Sequence, residues 1–170
     1  MEFLQSIKDR IPDYAKDIRL NLDSVIARST LAPSDALGVA LAAAFAARSK
    51  PLVDAFSAAA PPAEREAALT AAALMGMNNV WYPFVDMADD DNLKTLRPEL
   101  RMNAYASHAG VSKLQFESYA LAASIVGKCH FCVKSHYQLL KAGGWSAPQL
   151  RDVGRIAAVV NAAAQVLAAQ

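Results

Sequence analysis

Apolar residues recur along this chain at the three- and four-residue spacing of amphipathic helices, and no stretch alternates between apolar and polar residues as a half-buried strand does. Prolines, capping residues and glycines divide the pattern into about eight helices. Their predicted ranges are 2–10, 12–27, 35–49, 51–60, 62–87, 113–127, 129–142 and 147–168. The sequence therefore predicts an all-α helical bundle.

Two of these helices have a recognisable start, because Ser112 with Gln115 and Ser146 with Gln149 have the form of capping boxes. Between the fifth and sixth helices, by contrast, the chain is irregular. This stretch begins with acidic turn-forming residues after position 88 and ends at His108-Ala109-Gly110. We expect an extended loop here, in which His108 is a loop histidine and not a metal ligand.

Length and composition narrow the class of protein. The 170 residues predict a single domain, 1–170, and 17 Lys and Arg against 16 Asp and Glu give no electrostatic reason to expect nucleic acid or an anionic membrane as a partner. The apolar run 67–85 contains Gly76, Asn78, Asn79 and Pro83, which favour a buried helix over a membrane span. No secretory signal is evident at the N-terminus, so we expect a cytoplasmic protein.

The candidate chemistry is concentrated in one motif, since both cysteines of the chain lie in Cys129-His130-Phe131-Cys132 and His136 follows four residues later. On a helix, the side chains of Cys129, Cys132 and His136 fall within an arc of about 60°. A helix start, together with Lys128 and Lys134, lowers the pKa of a thiol. Because a second thiol can resolve a sulfenic acid as a disulfide, the motif predicts a dithiol/disulfide redox cycle.

Glu117 is the candidate carboxylate of this site. It is the only acidic residue between Glu99 and Asp152, and it stands in a mostly apolar helix where a carboxylate is costly without a partner. We expect His136 to take the proton of Cys132 and Glu117 to orient that imidazole. A solvated position on the helix surface is the alternative for Glu117.

The cysteine pair also has other interpretations. Two cysteines with one or two histidines, including His108, could ligate zinc, although a structural zinc site normally has a second ligand pair. Alternatively, both cysteines are inert core residues. The run of Met75, Met77, Trp81, Tyr82 and Phe84 is interpreted as core or subunit contact and not as a cofactor site.

The chain resembles the alkyl hydroperoxidase D (AhpD) family, which belongs to the wider carboxymuconolactone decarboxylase superfamily. The resemblance covers nearly the whole chain. It rests on the segments Pro12–Ile18, Met75–Val80, Leu96–Pro98, Leu100–Asn103, Phe116-Glu117 and Cys129–His136.

The resemblance implies an all-helical fold, commonly assembled as a homotrimer, and a peroxidase that also reduces the oxidised peroxiredoxin AhpC. It implies electrons from dihydrolipoamide on a lipoyl-bearing acyltransferase, with no bound metal or other cofactor. Position by position, Glu117, Cys129, Cys132 and His136 match the family's catalytic carboxylate, two thiols and histidine. The family's relay runs from the carboxylate through water and the histidine to Cys132, which implies that Cys132 attacks the peroxide and Cys129 resolves. Helix position alone favours Cys129 as the more acidic thiol.

One position departs from the family's motif. The best-known members place a histidine directly before the second cysteine, where this chain has Phe131, and the histidine here follows the first cysteine as His130. We do not transfer the family residue's role to His130, which either lowers the pKa of Cys129 or lies on the surface. The competing functions are a metal-binding or redox-sensing interaction module and, ranked last, a decarboxylase of the same superfamily.

Overall fold

The computed structural model describes residues 1–170, which form helices joined by turns, without a strand. The ten α-helices are α1 Gln5–Lys8, α2 Lys16–Ala27, α3 Pro33–Ala46, α4 Lys50–Ala59, α5 Pro62–Ala88, α6 Asp91–Thr95, α7 Asn103–Ser107, α8 Lys113–Gly127, α9 His130–Ala142 and α10 Ala147–Ala168. Short 3-10 helices cover Glu2–Leu4, Asp13–Ala15 and His108–Gly110. The predicted all-α class is therefore confirmed.

The chain differs from the predicted eight helices at three places, one of which is the predicted helix 12–27, where the 3-10 turn Asp13–Ala15 precedes α2. The predicted first helix is a 3-10 turn followed by the four-residue α1, and the predicted loop contains α6, α7 and the third 3-10 helix. Helix α6 starts because the Asp90 carboxylate accepts a hydrogen bond from the backbone N–H of Asn92 at 2.8 Å. Neither α6 nor α7 buries a residue, so no apolar face marks them in the sequence.

The long helices begin where the capping pattern predicts. Ser112 accepts a hydrogen bond from the backbone N–H of Gln115 at 3.2 Å, and the Gln115 side chain accepts one from the backbone N–H of Ser112 at 3.1 Å. Ser146 and Gln149 form the same reciprocal pair at the start of α10. Both predicted capping boxes are confirmed, and the first of them fixes the start of the helix that carries Glu117.

Small residues let the central helices approach one another closely. Helices α3, α5, α8 and α10 pack together, and a core of 37 buried hydrophobic residues runs through them. Gly38 on α3 faces the ring of Tyr119 on α8, which occupies the space that a Cβ at position 38 would need. Helix α8 is consequently buried on all sides from Phe116 to Ser124.

A buried carboxylate connects the last helix to the turn before α3. The Oδ2 atom of Asp152 accepts hydrogen bonds from the backbone N–H and the hydroxyl of Thr30, at 2.8 and 3.0 Å, and Arg151 and Arg155 contact the other oxygen. Burial alone would raise the pKa of Asp152, but these hydrogen bonds lower it. The side chain therefore stays ionised and holds α10 to residues 122 positions away along the chain.

Helices α5, α7, α8 and α9 together carry the residues around the cysteine motif. Helix α9 packs on α8 and α5, and α7 packs on α5. None of the helices combines the length and apolar character needed to cross a membrane.

Candidate active site

The turn between α8 and α9 places the two cysteines at the start of a helix. Lys128 adopts a left-handed conformation with φ of 55°, after which Cys129 is extended and forms the N-cap of α9. Its Sγ accepts a hydrogen bond from the backbone N–H of Cys132 at 3.2 Å. The two sulfurs are joined as a disulfide, with the Cα atoms 5.3 Å apart.

Close packing against α5 fixes the position of this turn. The Asn79 side chain lies where a Cβ at position 127 would stand, so any larger residue there would have to displace that side chain. The Asn79 Nδ2 donates a hydrogen bond to the carbonyl of Ala123 on α8 at 3.1 Å. The predicted break at Gly127 is therefore both the end of α8 and a contact point between α5 and α8.

A cavity of about 300 Å³ lies over one of the two cysteines. Its lining comes from α5, the α6–α7 region and α9: Met75, Asn78, Tyr82, Met102, Tyr105, Ala106, Phe131, Cys132, Ser135 and His136. Cys132 lines the cavity and is 3% exposed, whereas Cys129 does not line it and is 0% exposed. A small molecule in the cavity thus meets Cys132 first.

Glu117 and His136 form a buried pair behind this cavity. The His136 Nδ1 lies 2.6 Å from Glu117 Oε2, and the Tyr105 hydroxyl donates a hydrogen bond to Oε1. Glu117 is fully buried, so the interpretation as a solvated carboxylate is wrong. Burial alone would raise the pKa of Glu117, but the hydrogen bonds from His136 and Tyr105 lower it.

The tautomer of His136 follows from its carboxylate partner. An ionised carboxylate only accepts hydrogen bonds, so Nδ1 carries a proton, and Nε2 is the nitrogen at which the ring can gain or lose a second one. The Nε2 atom lies 3.2 Å from the Met75 Sδ and belongs to a side chain that lines the cavity. His136 can therefore exchange a proton at Nε2, and Cys132 lines the same cavity.

The expected relay differs from the structure at one step. The resemblance implied a path from carboxylate through water to histidine, whereas Glu117 and His136 are in direct contact at 2.6 Å. In the disulfide form no hydrogen bond joins His136 to the Cys132 sulfur, although both residues line one cavity.

The structure also bears on the two other interpretations of the cysteines, as inert core residues and as zinc ligands. A disulfide between the two does not match two separate inert core thiols. No group of three or more His, Cys, Asp or Glu side chains is arranged to bind a metal ion. His108, which was predicted to lie in a loop, is instead the first residue of a 3-10 helix and packs against Tyr105 and Phe116, with ring centroids 6.1 and 5.8 Å apart.

His130 and Phe131, the two residues at which this motif departs from the family pattern, lie on the protein surface. His130 is exposed and makes no hydrogen bond to Cys129, so it lies on the surface. With Lys128, Lys134 and Phe131 it lines a wider groove of about 810 Å³. The Phe131 ring is 57% exposed and stacks on Tyr82 at 4.2 Å, beside the cavity over Cys132.

Several cavity residues were missed by sequence reasoning. Tyr105 stands in a short helix without hydrophobic periodicity, so nothing in the pattern marks it. Met75 is a buried core residue as predicted, but it also lines the cavity, and so does Tyr82. Met75, Asn78 and Tyr82 are three and four residues apart, which is the spacing of one helix face and could have grouped them.

Comparisons with known proteins point to one family. The model of the carboxymuconolactone decarboxylase family matches residues 92–170. Relatives named alkyl hydroperoxide reductase AhpD match almost the full chain. The protein of Rhodospirillum centenum is 43% identical over 98% of this chain and 91% of its own. That of Rhodopseudomonas palustris is 41% identical over 95% and 91%, and that of Anaeromyxobacter dehalogenans 45% identical over 98% and 91%.

Proposed function

The chain belongs to the AhpD family of the carboxymuconolactone decarboxylase superfamily, and from this premise we propose that it reduces alkyl hydroperoxides with Cys129 and Cys132 cycling between dithiol and disulfide. It is a peroxide-reducing oxidoreductase. The observation that carries the assignment of the site is the cavity over Cys132, because His136 lines it and Glu117 supports His136 from behind.

The oxidative half of the cycle starts at Cys132. In the reduced protein, Nε2 of His136 accepts the proton of the Cys132 thiol, and the thiolate attacks the terminal oxygen of the hydroperoxide. The O–O bond breaks, the alkoxide takes the proton from His136 and leaves as the alcohol, and Cys132 becomes a sulfenic acid. The Cys129 thiol then attacks this sulfur, a disulfide forms, and the oxygen leaves as water.

The positions of the two sulfurs support this division of roles. Only Cys132 borders the cavity, and Cys129 lies beneath it within bonding distance. The N–H of Cys132 points at the Cys129 sulfur, a contact that also stabilises negative charge on that atom. Cys129 is thus suited to form the thiolate that resolves the sulfenic acid.

The reductive half needs two electrons from a dithiol. We assign that role to dihydrolipoamide on a lipoyl-bearing acyltransferase. One of its thiolates attacks the protein disulfide and its second thiol closes the lipoyl ring, which returns both cysteines to thiols. Oxidised peroxiredoxin AhpC is the proposed second oxidant, and its disulfide would be reduced by the same cysteine pair. The stacked rings of Tyr82 and Phe131 supply an apolar surface at the cavity for an alkyl group or a lipoyl chain.

The proposed setting is the cytoplasm, with the chain assembled as a homotrimer and no bound metal or other cofactor. Exposed apolar side chains on α5 and after it support subunit contact. They are Val80, Phe84 and Met87 on α5 and Leu96 and Leu100 after it. Multi-angle light scattering measures the number of subunits directly, and a monomer at micromolar concentration would contradict the trimer.

The function is tested by peroxide-dependent NADH oxidation in the presence of lipoamide and its dehydrogenase, with and without a peroxiredoxin. Cys129→Ser and Cys132→Ser should each abolish turnover. Glu117→Ala and His136→Ala should slow it about 10²-fold, as expected from general acid–base help. Tyr14→Phe, at an exposed tyrosine, is the matched control. Full turnover in Cys132→Ser refutes the proposal.

The order of the two cysteines needs a separate measurement. One equivalent of cumene hydroperoxide is added to reduced Cys129→Ser or Cys132→Ser protein, and sulfenic acid is trapped with dimedone and located by mass spectrometry. We expect the adduct on Cys132 in the first variant and little adduct in the second. If dimedone instead labels Cys129 in Cys132→Ser and fails to label Cys132 in Cys129→Ser, the assigned roles are reversed.

A further inference from the structure

Tyr105 holds a position that the cycle above does not explain. Its hydroxyl donates a hydrogen bond to Glu117 Oε1. Its ring lies edge-on to both Phe116 and His108, whose ring centroids are 5.6 and 6.1 Å from its own. Two ring contacts therefore fix the direction in which the hydroxyl points.

Glu117 connects two residues of the cavity wall without lining the cavity itself. Tyr105 and His136 both line it, and each is hydrogen-bonded to a different oxygen of the same carboxylate. A continuous hydrogen-bonded chain thus begins at Tyr105, passes behind the wall through Glu117 and returns to the cavity at His136. With Oε1 held by Tyr105, Oε2 remains directed at Nδ1.

We propose that Tyr105 is a positioning residue for peroxide reduction, which acts on Cys132 through Glu117 and His136 by holding the carboxylate in place and keeping it ionised. The role rests on the proposed function of the site. Tyr105 thus has a role in the reaction although it lies outside the Cys129–His136 motif, on the short helix α7.

The electrostatics of the pocket explain why a neutral donor suits this position. The titratable groups facing Glu117 are His136 from α9, Tyr105 from α7 and Lys113 from the first turn of α8 itself. Helix α5 contributes Met75 and Asn78 to this region, and neither titrates.

The phenol is well matched to the carboxylate. Burial raises the pKa of Tyr105, and the bond to Glu117 raises it further, so the phenol keeps its proton and remains a donor. Because the tyrosine donor carries no charge, it stabilises the Glu117 carboxylate without adding a second base to the cavity wall. His136 is then the only base of that wall in contact with Glu117.

Removal of the hydroxyl should change the pH dependence of the reaction. Tyr105→Phe keeps both ring contacts but takes one hydrogen bond from Glu117. Protonation of the Glu117–His136 pair, which blocks proton transfer from Cys132, then occurs at higher pH. We expect the acid limb of the kcat/KM profile to move up by about one pH unit, which corresponds to the loss of one hydrogen bond to a charged group. Tyr14→Phe should leave the profile unchanged.

A double-mutant cycle separates this role from a general structural one. In a Glu117→Gln background the partner is uncharged, so Tyr105→Phe should move the remaining profile by less than about 0.2 pH unit, within ordinary additivity error. An equal shift in both backgrounds overturns the proposal, because Tyr105 would then act by a route other than Glu117.

A second measurement does not depend on turnover. The ¹³C carboxyl resonance of Glu117, assigned by its loss in Glu117→Gln, is titrated in reduced wild-type and Tyr105→Phe protein. Its midpoint should rise in the variant, and an unchanged midpoint overturns the proposal. If the wild-type protein reduces no hydroperoxide, the proposed function fails while this titration still decides the role of Tyr105.

A third variant guards against misfolding of Tyr105→Phe. Fluorotyrosine incorporated at position 105 keeps the size of the ring and makes the hydroxyl a stronger donor. The Glu117 midpoint should then fall below that of the wild-type protein, opposite to the effect of phenylalanine. A shift in the same direction for both substitutions overturns the proposal.

Discussion

Removing His136 should destabilise the protein in a way that acid partly reverses. In His136→Ala, the fully buried Glu117 carboxylate keeps only the hydrogen bond from Tyr105. Leaving a buried charge without one of its two hydrogen-bond donors costs about 3 kcal/mol, the upper end of the range for a hydrogen bond to a charged group. For a chain of this size the melting temperature should fall by roughly 6–12 °C at pH 7.5.

The pH dependence follows from the forces on Glu117. Burial raises its pKa and the two hydrogen bonds lower it, so without His136 burial dominates and the pKa rises above the ordinary value. The folded variant then binds a proton more tightly than the unfolded chain does. As the pH rises from the unfolded to the folded pKa value of Glu117, the free energy of unfolding of the variant should fall by about 1.4 kcal/mol for each pH unit. Lowering the pH from 7.5 to 5 should therefore restore much of the lost stability.

Urea denaturation of the oxidised protein at pH 5 and 7.5, at one fixed protein concentration, measures this effect. His136→Ala/Glu117→Gln is the matched control, because it removes the buried charge and should lack the additional pH dependence. His130→Ala controls for loss of an exposed histidine. The reasoning is refuted if His136→Ala unfolds within 1 kcal/mol of the wild type at pH 7.5, or if its pH dependence equals that of the double variant.

Three further substitutions test the buried charge of α10 and the space around one glycine in α8 and one in α10. Asp152→Asn should lower the free energy of unfolding by about 2 kcal/mol, because it weakens the bonds to Thr30 and the arginines. Since the pKa of Asp152 is lowered in the folded protein, the difference from wild type in urea unfolding should be constant from pH 5 to 8 and shrink below pH 4. Gly127→Ala should cost about 1–3 kcal/mol in thermal unfolding because its Cβ meets the Asn79 side chain, and an unchanged melting temperature contradicts that contact. Gly154 lies in α10 with nothing within 4 Å of a new Cβ, so Gly154→Ala should instead raise the free energy of unfolding by about 0.5–1 kcal/mol. A loss of stability would show that the space beside Gly154 is occupied.

The long helices were predictable because local chemistry determines their ends. Ser112 and Ser146 cap α8 and α10 through side chains only three residues away, so the sequence alone contains both partners. Helices α6 and α7 bury no residue, and without an apolar face their existence depends on neighbours that sequence periodicity does not reveal.

The site was predictable to the extent that its members lie on consecutive helices. Glu117 precedes the cysteine motif in an apolar helix, and the cost of an unpaired carboxylate already implied a partner. Tyr105 and Met75 reach the same pocket from α7 and α5, through packing of helices that are distant along the chain. No spacing rule links them to Cys132, so only the folded structure brings them together.

The unequal depth of the two sulfurs has a consequence for steady-state kinetics. Since Cys132 is the sulfur that borders the cavity, an oxidising substrate and a reducing substrate must use the same opening in turn. The alcohol product has to depart before the dithiol donor arrives, so no ternary complex forms. Double-reciprocal plots at several donor concentrations should therefore be parallel lines, the pattern of a substituted-enzyme mechanism.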